Sequence, residues 1–369
     1  MKPRGLVRVE RTPTGRRVEL VLAGDAVSWA ELFYLRLRIG RATLSCGGIG
    51  NVFTRREHRR RGYGRRVLQR SVEVMTEDGL DLAMLFGIPD FYHKFGFRAT
   101  LNDYRFEMPG RAVVGGPFGL MARRLPKARH AEVLPMHARD LRQVGFGLQR
   151  QRARWPGYTR GAQFRYQPVV TVFLRGKRRV GYVLVDDDPR AVRVPELFAQ
   201  DDDVLGRMFT WLGRECRRRV CEKIELFLSP AHAASRLAVE LGATFTRTTH
   251  ATGGGMMRIL NLGATVARLM PELVARWAAS AKATSGLDLT LVTDLGPAEL
   301  VIPPRGGSES LVRGRAGMPQ DRLTQLVVGY ESAAELARRD GVHVPRKLLP
   351  ALEALFPRCC PSILTTDCF

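Results

Sequence analysis

Gly48 to Phe97 constrains this chain more than any other stretch. By pattern it runs strand, basic glycine loop, helix, strand, short helical turn, strand. The first strand covers Thr43 to Thr54. The loop is Arg59-Arg60-Arg61-Gly62-Tyr63-Gly64, the helix runs from Gly64 to Thr76, and Gly79 stands where a helix stop belongs. A second strand follows from Leu80 to Phe86. Glycines let successive backbone N–H groups turn toward one anion, and a helix that starts there adds the positive end of its dipole. That combination suits a pyrophosphate. The spacing Arg59-x-x-Gly62-x-Gly64 matches neither the G-x-G-x-x-G dinucleotide loop nor the G-x-x-x-x-G-K-S/T phosphate loop.

This stretch resembles the coenzyme A loop of the GCN5-related N-acetyltransferases (GNAT), whose pattern is Arg/Gln-x-x-Gly-x-Gly/Ala after the fourth strand. Downstream, Phe91-Tyr92-His93-Lys94-Phe95-Gly96-Phe97 is similar to the Y-x-x-x-G-F segment of that family. Each motif is weak alone. Together they occur in order, with a strand, a helix and a strand between them. The bland alternative is a solvated basic turn leading into an ordinary α/β packing segment.

At 369 residues the chain predicts two or three domains. No run of about eighteen apolar residues predicts a membrane span, and the start MKPRGLVRVERTPTGRR has no signal-peptide core. The expectation is a cytoplasmic protein. Six cysteines include no C-x-x-C pair and no histidine neighbours, so the reading is reduced thiols and no metal. Lysine and arginine number 59 against 36 acidic residues, a net charge of +23. Such a field favours anionic partners, nucleic acid among them. The arginines are dispersed rather than gathered in one stripe with aromatics, so nucleic-acid binding is not the favoured reading.

Residues 5–23 alternate as two strands about the turn Thr12-Pro13-Thr14-Gly15, and Trp29 to Leu37 reads as another strand. No amphipathic helix of useful length precedes residue 50. Phe97 to Met108, Phe118 to Arg124 and Ala128 to Val133 read as strands. A helix is expected from Met136 to Gln149. Val169 to Leu174 and Val180 to Val185 form a hairpin signal about Arg175-Gly176-Lys177-Arg178. Val192 to Phe198 follows as a strand, then a helix led by Asp201-Asp202-Asp203 to about Arg218, a strand at Ile224 to Leu228 and a helix at His232 to Leu241. This order repeats the opening stretch. Aligning Gly242 with Gly96 puts Ala238 where Tyr92 stands, and Gln200 to Leu205 replaces the Arg59–Gly64 loop. That segment has no glycine pair, and its carboxylates would repel a pyrophosphate. The second unit reads as a degenerate copy. Beyond it, a helix is expected at Ala264 to Ala279 despite Pro271, strands at Leu287 to Val292 and Ala298 to Ile302, and short helices at Gln320 to Val328, Ser332 to Arg338 and Arg346 to Phe356.

The whole chain resembles the enhanced-intracellular-survival (Eis) type of bacterial acetyltransferases. The residues that carry this are Val52-Phe53-Thr54 to Gly64, Phe91 to Phe97, Gly181 to Leu184, Gly255 to Leu260, Leu326 to Tyr330 and Asp367-Cys368-Phe369. Its start is short for that family, which places two helices between its first two strands. The resemblance implies an α/β (α+β) fold of tandem GNAT units, each a mixed, mostly antiparallel sheet flanked by helices, with a sterol-carrier-like C-terminal domain. The expected domains are residues 1–127 for acetyl-CoA binding, 128–258 for the degenerate unit and 259–369 for the last.

The same resemblance assigns roles. Val52, Phe53 and Thr54 would pair with the pantetheine arm. Arg60, Arg61, Gly62, Tyr63, Gly64 and Arg65 would cradle the pyrophosphate. Gly87 and Ile88 would flank the cofactor. Tyr92 would protonate the leaving thiolate, and the carboxylate of Phe369 would be the general base. A phenol of pKa about 10 can donate to a thiolate whose acid lies near about 8.5, and a carboxylate near about 3.5 needs burial to become a useful base. Glu57, His58 and Asp90 are the fallback bases, acting through water. The implied reaction is direct transfer from acetyl-CoA, as co-substrate, to a primary amine on an aminoglycoside-like molecule or a lysine side chain. The family's assembly implies a homo-oligomer, a hexamer by resemblance. The alternatives are a nucleic-acid-directed acetyltransferase or binder, and a non-catalytic acyl-CoA or lipid carrier.

Overall fold

In this computed structural model, residues 5–369 are described except 114–115, 154, 156, 159–167, 187 and 307–308. The chain divides into two compact units: residues 1–101, 250–361 and 369 in one, and 102–249 with 362–368 in the other.

The first unit opens with β1 (Leu6–Thr12), β2 (Gly15–Leu22), β3 (Asp25–Ile39) and β4 (Ala42–Thr54), a run of antiparallel neighbours with no helix between them. Next come α1 (Tyr63–Glu77), β5 (Leu82–Gly87), a 3-10 turn at Tyr92–Phe95 and the short β6 (Arg98–Ala99). β4 and β5 run parallel, which requires the crossover that α1 supplies. One stripe of α1, Val67, Leu68, Ser71, Val74 and Met75, is buried. It packs against Ile49, Leu32, Ala83 and Leu85 in one apolar cluster. Gly79, at φ +72°, ends the helix, and Leu80 N–H donates to Met75 O at 3.1 Å.

The second unit holds β7 (Asp103–Pro109), β8 (Met121–Leu125), α2 (Leu134–Val144), β9 (Phe146–Leu148), β10 (Pro168–Arg175), β11 (Arg178–Asp186), β12 (Ala191–Ala199), α3 (Asp202–Arg218), β13 (Lys223–Leu226), α4 (Ala233–Glu240) and β14 (Thr244–Thr248). Its sheet runs β14-β7-β13-β12-β11-β10-β8. The β12–β13 pair is parallel and joined by α3, the arrangement that β4, α1 and β5 make in the first unit. Its best-buried polar group is Glu196, which accepts from Arg150 (2.6 Å), Tyr182 (2.6 Å), Thr366 (2.7 Å) and Tyr158. Arg150 also pairs with Asp367 at 2.6 Å and stacks over Trp155 and Tyr158. The tail segment 362–368 is therefore tied into this unit by charge-assisted bonds.

The chain then returns to the first unit with β15 (Gly254–Ile259), which inserts between β5 and β6. The first sheet thus reads β1-β2-β3-β4-β5-β15-β6. α5 (Leu262–Ala278) follows, with Pro271 inside it. β16 (Gly286–Thr293), β17 (Gly296–Ile302) and β18 (Leu311–Gly317) form a small sheet in the order β17-β16-β18. α6 (Gln320–Val327), α7 (Ala333–Leu336) and α8 (Leu349–Leu355) complete the unit. Gln320 accepts from Ile259 N–H (3.0 Å) and donates to Gly96 O (2.7 Å), so α6 braces both β15 and the turn that carries Tyr92.

Several elements differ from the sequence reading. Residues 127–133 form a 3-10 helix, not a strand: Pro126 starts a turn in which Arg129 N–H returns to Pro126 O. The helix expected to reach Gln149 stops at Val144, because Gly145 at φ +78° caps it. The strand expected from Phe97 to Met108 splits at Asn102: β6 stays in the first sheet and β7 joins the second. β18 was not anticipated, since Arg313-Gly314-Arg315 hides its alternation.

Candidate active site

The first sheet forks. β4 pairs with β5 only from Cys46↔Leu82 to Ile49↔Leu85. Beyond Ile49, β4 continues to Thr54 beside β3 alone, with no strand on its other side among the described residues. The cause is a β-bulge. Glu31 pairs Gly50 and Trp29 pairs Phe53, so Asn51 and Val52 together oppose Ala30. Asn51 takes φ +49° to fit the extra residue. Bulges bend the strand that carries them, and this one turns β4 away from β5.

Five of the residues expected at the site stand on the two arms of this fork. Val52 is half-buried in the α1 cluster. Phe53 is 42% exposed and packs on Trp29, with Arg59 over its ring. Thr54 shares a 2.8 Å hydrogen bond with Ser28. On the other arm Gly87 ends β5, and Ile88 is 65% exposed. Two large apolar side chains thus face solvent where the strands part.

The glycine loop follows β4 directly. Gly62, at φ +82°, is the N-cap of α1, with no side-chain cap and no acidic residue in the first turn. Arg66 N–H makes the first intrahelical bond, to Gly62 O, so the N–H groups of Tyr63, Gly64 and Arg65 have no partner inside the helix. Arg60 (φ +60°), Arg61 and Arg65 are exposed around them. A methyl on Gly62 would meet nothing within 4 Å, and one on Gly64 only the Thr54 hydroxyl at 3.3 Å. This open, cationic, donor-rich cradle fits a pyrophosphate. The corresponding end of α3 is closed: Asp201 caps its own helix, accepting from Val204 N–H at 2.8 Å, with Asp202 and Asp203 beside it.

Tyr92 and Phe369 lie on opposite faces of the fork. Gly87 and Leu85 face α1, and a methyl at Gly87 would come within 2.5 Å of the Tyr92 ring. Tyr92 is buried there, which pushes its phenol above the ordinary tyrosine pKa. Phe86 points the other way and meets the Phe369 ring edge-on at 5.6 Å, while Phe33 packs on that ring at 5.3 Å. Gly48 and Gly50 form the floor. A methyl at Gly48 would come within 2.4 Å of the Phe369 ring, and one at Gly50 within 3.2 Å of its carboxyl carbon. The fallback bases are placed less well. Glu57 is exposed, His58 is half-buried beside Tyr63, and Asp90 is hydrogen-bonded to Thr252 at 2.8 Å.

Sequence reasoning missed Gly48, Gly50, Phe33 and Phe86, which seat the last residue. The signal was present: Gly47-Gly48-Ile49-Gly50 is an unusual run inside a strand, and strand glycines mark close approach.

Residues 10–100 match the acetyltransferase (GNAT) domain family. The chain carries a GNAT acetyltransferase domain. The match runs from the end of β1 through β6, with the glycine loop and the Tyr92 turn inside it, and a GNAT domain implies acyl-CoA binding. Solved structures agree in fold over nearly the full length. A GCN5-related N-acetyltransferase from Anabaena variabilis is 15% identical with a TM-score of 0.74, covering 96% of this chain and 89% of its own. One from Kribbella flavida is 17% identical, TM-score 0.72, covering 96% and 87%. Eis1 from Mycobacterium abscessus is 15% identical, TM-score 0.62, covering 96% and 90%. At such identities the likeness is one of fold. No curated protein matches the chain by sequence.

Proposed function

We propose that the protein is an acetyl-CoA-dependent N-acetyltransferase that moves the acetyl group to a primary amine by direct attack within one ternary complex. The observation that carries this is the fork, with a tyrosine on one face and the Phe369 carboxyl on the other. The outer edge of Val52, Phe53 and Thr54 offers backbone donors and acceptors to an amide-bearing arm, much as a sheet edge accepts an added strand. Arg60 to Arg65 hold the pyrophosphate, and Gly87 with Ile88 line the opposite wall.

The reaction needs a proton removed from the amine and one delivered to the leaving sulfur. Tyr92 is the proton donor: a phenol is protonated at neutral pH, and burial raises its pKa further. The Phe369 carboxylate takes the amine proton, directly or through a water. Because the two sit on opposite faces of the sheet, the amine loses its proton on the Phe369 side, adds to the carbonyl carbon, and the sulfur that leaves on collapse of the tetrahedral intermediate takes its proton from the Tyr92 side.

The closed N-terminus of α3 supports one acyl-CoA site per chain, with 128–258 a degenerate GNAT unit. The segment from α5 onward is read as sterol-carrier-like, and the assembly as a homo-oligomer, a hexamer by resemblance. The amine is an aminoglycoside-like molecule or a lysine side chain. The test is thiol release from acetyl-CoA across a panel of aminoglycosides, polyamines and lysine peptides, with product mass. An amine-dependent thiol signal and a product heavier by one acetyl group are expected. Acetyl-CoA binding with no turnover on any amine would leave the carrier alternative instead.

A further inference from the structure

The two parallel-crossover helices end in the same turn, filled very differently. In α1 the cap uses Gly79 in the left-handed position, and Leu80 closes it by donating its N–H to Met75 O, both side chains lying in the apolar cluster. In α3 the pattern repeats: Val220 N–H donates to Arg217 O at 3.1 Å and Cys221 N–H to Cys216 O at 3.0 Å. The left-handed position is filled by Val220 at φ +55°, strained for a β-branched side chain. The two closing residues are both cysteines. Their sulfurs lie 3.2 Å apart, roughly 1.2 Å beyond a covalent S–S bond.

The surroundings distinguish the two thiols. Cys216 is buried, its S–H donates to Cys221 O at 2.8 Å, and a methyl at Gly110 would come within 2.4 Å of its sulfur. Burial, then the neighbouring Cys221, push the Cys216 thiol up to about 12. Cys221 is partly exposed. Arg217, Arg218 and Arg219 lie between them in sequence.

We propose that Cys216 and Cys221 are a reversible thiol–disulfide modification site, oxidised by peroxides. Cys221, the reachable thiol, attacks a peroxide oxygen. The O–O bond breaks, one oxygen leaves as water, and Cys221 becomes a sulfenic acid. Cys216 then attacks the Cys221 sulfur. The S–O bond breaks, and the departing oxygen leaves as a second water with the Cys216 proton. Two thiols and one hydrogen peroxide give one disulfide and two waters, a two-electron exchange. A dithiol reductant reverses it. The cap geometry holds the resolving thiol in place before oxidation begins, so closure competes with over-oxidation of Cys221.

The test uses the full chain. Protein is exposed to hydrogen peroxide, quenched at low pH, alkylated in denaturant and digested with trypsin without reduction. Trypsin cuts after Arg214, Arg217, Arg218 and Arg219, so Cys216 and Cys221 fall on separate peptides, Glu215–Arg217 and Val220–Lys223. Only a disulfide joins them. The expected result is a linked peptide that dithiothreitol abolishes and a titratable thiol count that falls by two. Cys216→Ser should lose the linked species and gain sulfinic acid at Cys221. The far-UV spectrum of Cys221→Ser serves as the folding control, and its Cys216 should stay alkylatable under the same dose. Separate alkylated peptides from the oxidised wild type, or linkage of either cysteine to Cys46, Cys359, Cys360 or Cys368, would overturn the proposal.

Discussion

Gly48→Ala tests the seating of Phe369 most directly. The added methyl lies 2.4 Å from the Phe369 ring, where carbon contacts settle at about 3.5–4.0 Å. The ring must retreat by at least about 1 Å. It has little lateral room, because Phe33 and Phe86 flank it at 5.3 and 5.6 Å. The carboxyl group moves with the ring it is bonded to. A misplacement of about 1 Å costs on the order of 100-fold in rate, about 2.7 kcal/mol. Alanine is otherwise tolerated, since Gly48 is in ordinary extended strand paired to Phe33 and Met84. The assay is thiol release with acetyl-CoA and the best amine acceptor.

Gly47→Ala is the matched control. Its methyl points to the other face, where it meets the Met75 sulfur at 2.2 Å, and a flexible thioether can swing away. Its rate should fall less than about threefold, a cost below about 0.7 kcal/mol. Phe369→Ala keeps the carboxylate but removes the ring. In that background Gly48→Ala has nothing to displace, so its cost should vanish. The cycle should therefore show a coupling of about 2.7 kcal/mol, the whole of the single-variant cost. Equal rates for Gly48→Ala and wild type, equal losses in Gly47→Ala and Gly48→Ala, or additive losses in the double variant would each refute the seating argument.

Tyr92→Phe should lower kcat by about 10²- to 10⁴-fold with an unchanged far-UV spectrum. Because burial raises the Tyr92 pKa, the wild-type alkaline limb of kcat should lie above pH 10 and vanish in the variant. Arg150→Met strands Glu196 and Asp367 without their buried cation and should destabilise the fold by about 3–5 kcal/mol, read by urea unfolding. The sign of the pH effect follows from the same pair. Arg150 holds Glu196 below the ordinary carboxylate range although burial alone would raise it. Its stabilisation is fully present above pH about 4.5 and drains away as pH falls below that, which acid unfolding of Glu196→Gln against wild type would show. Val220→Gly should raise stability by about 1–2 kcal/mol, because Val220 is 89% exposed and loses only left-handed strain.

Legibility tracked how local the determinant was. The β4–loop–α1–β5 unit was readable because each piece carries its own signal: β-branched and aromatic alternation, glycines at the helix entry, Gly79 at its exit. The Asp201 cap of α3 was readable for the same reason. The strand exchange was not. Asp103–Pro109 and Gly254–Ile259 have ordinary strand composition, and nothing local says which sheet each joins. The fork was also hidden, because it arises from one extra residue at Asn51 and Val52, and an added residue leaves no compositional trace. Phe369 was marked as a site residue only by its resemblance to a terminal motif. Its surroundings come from Phe33, Gly48, Gly50 and Phe86, which are near one another only after three strands have paired.

The bulge also fixes the chemistry on the proposed reading. A sheet in which β4 and β5 stayed paired to Thr54 would present Tyr92 and Phe369 on opposite sides of a continuous hydrogen-bonded wall, and neither could reach a group held on the other side. Displacing β4 by one inserted residue opens a slot whose lips are Ile49–Thr54 and Leu85–Ile88. A thioester lying in that slot is reached by the phenol from the α1 face and by the carboxylate from the other. The acceptor amine must then arrive on the Phe369 face, since a base removes the proton from the side on which the nucleophile sits. Deleting Asn51 should restore unbroken β4–β5 pairing and abolish turnover while stabilising the sheet. A variant that keeps its rate with Asn51 removed would separate catalysis from the fork.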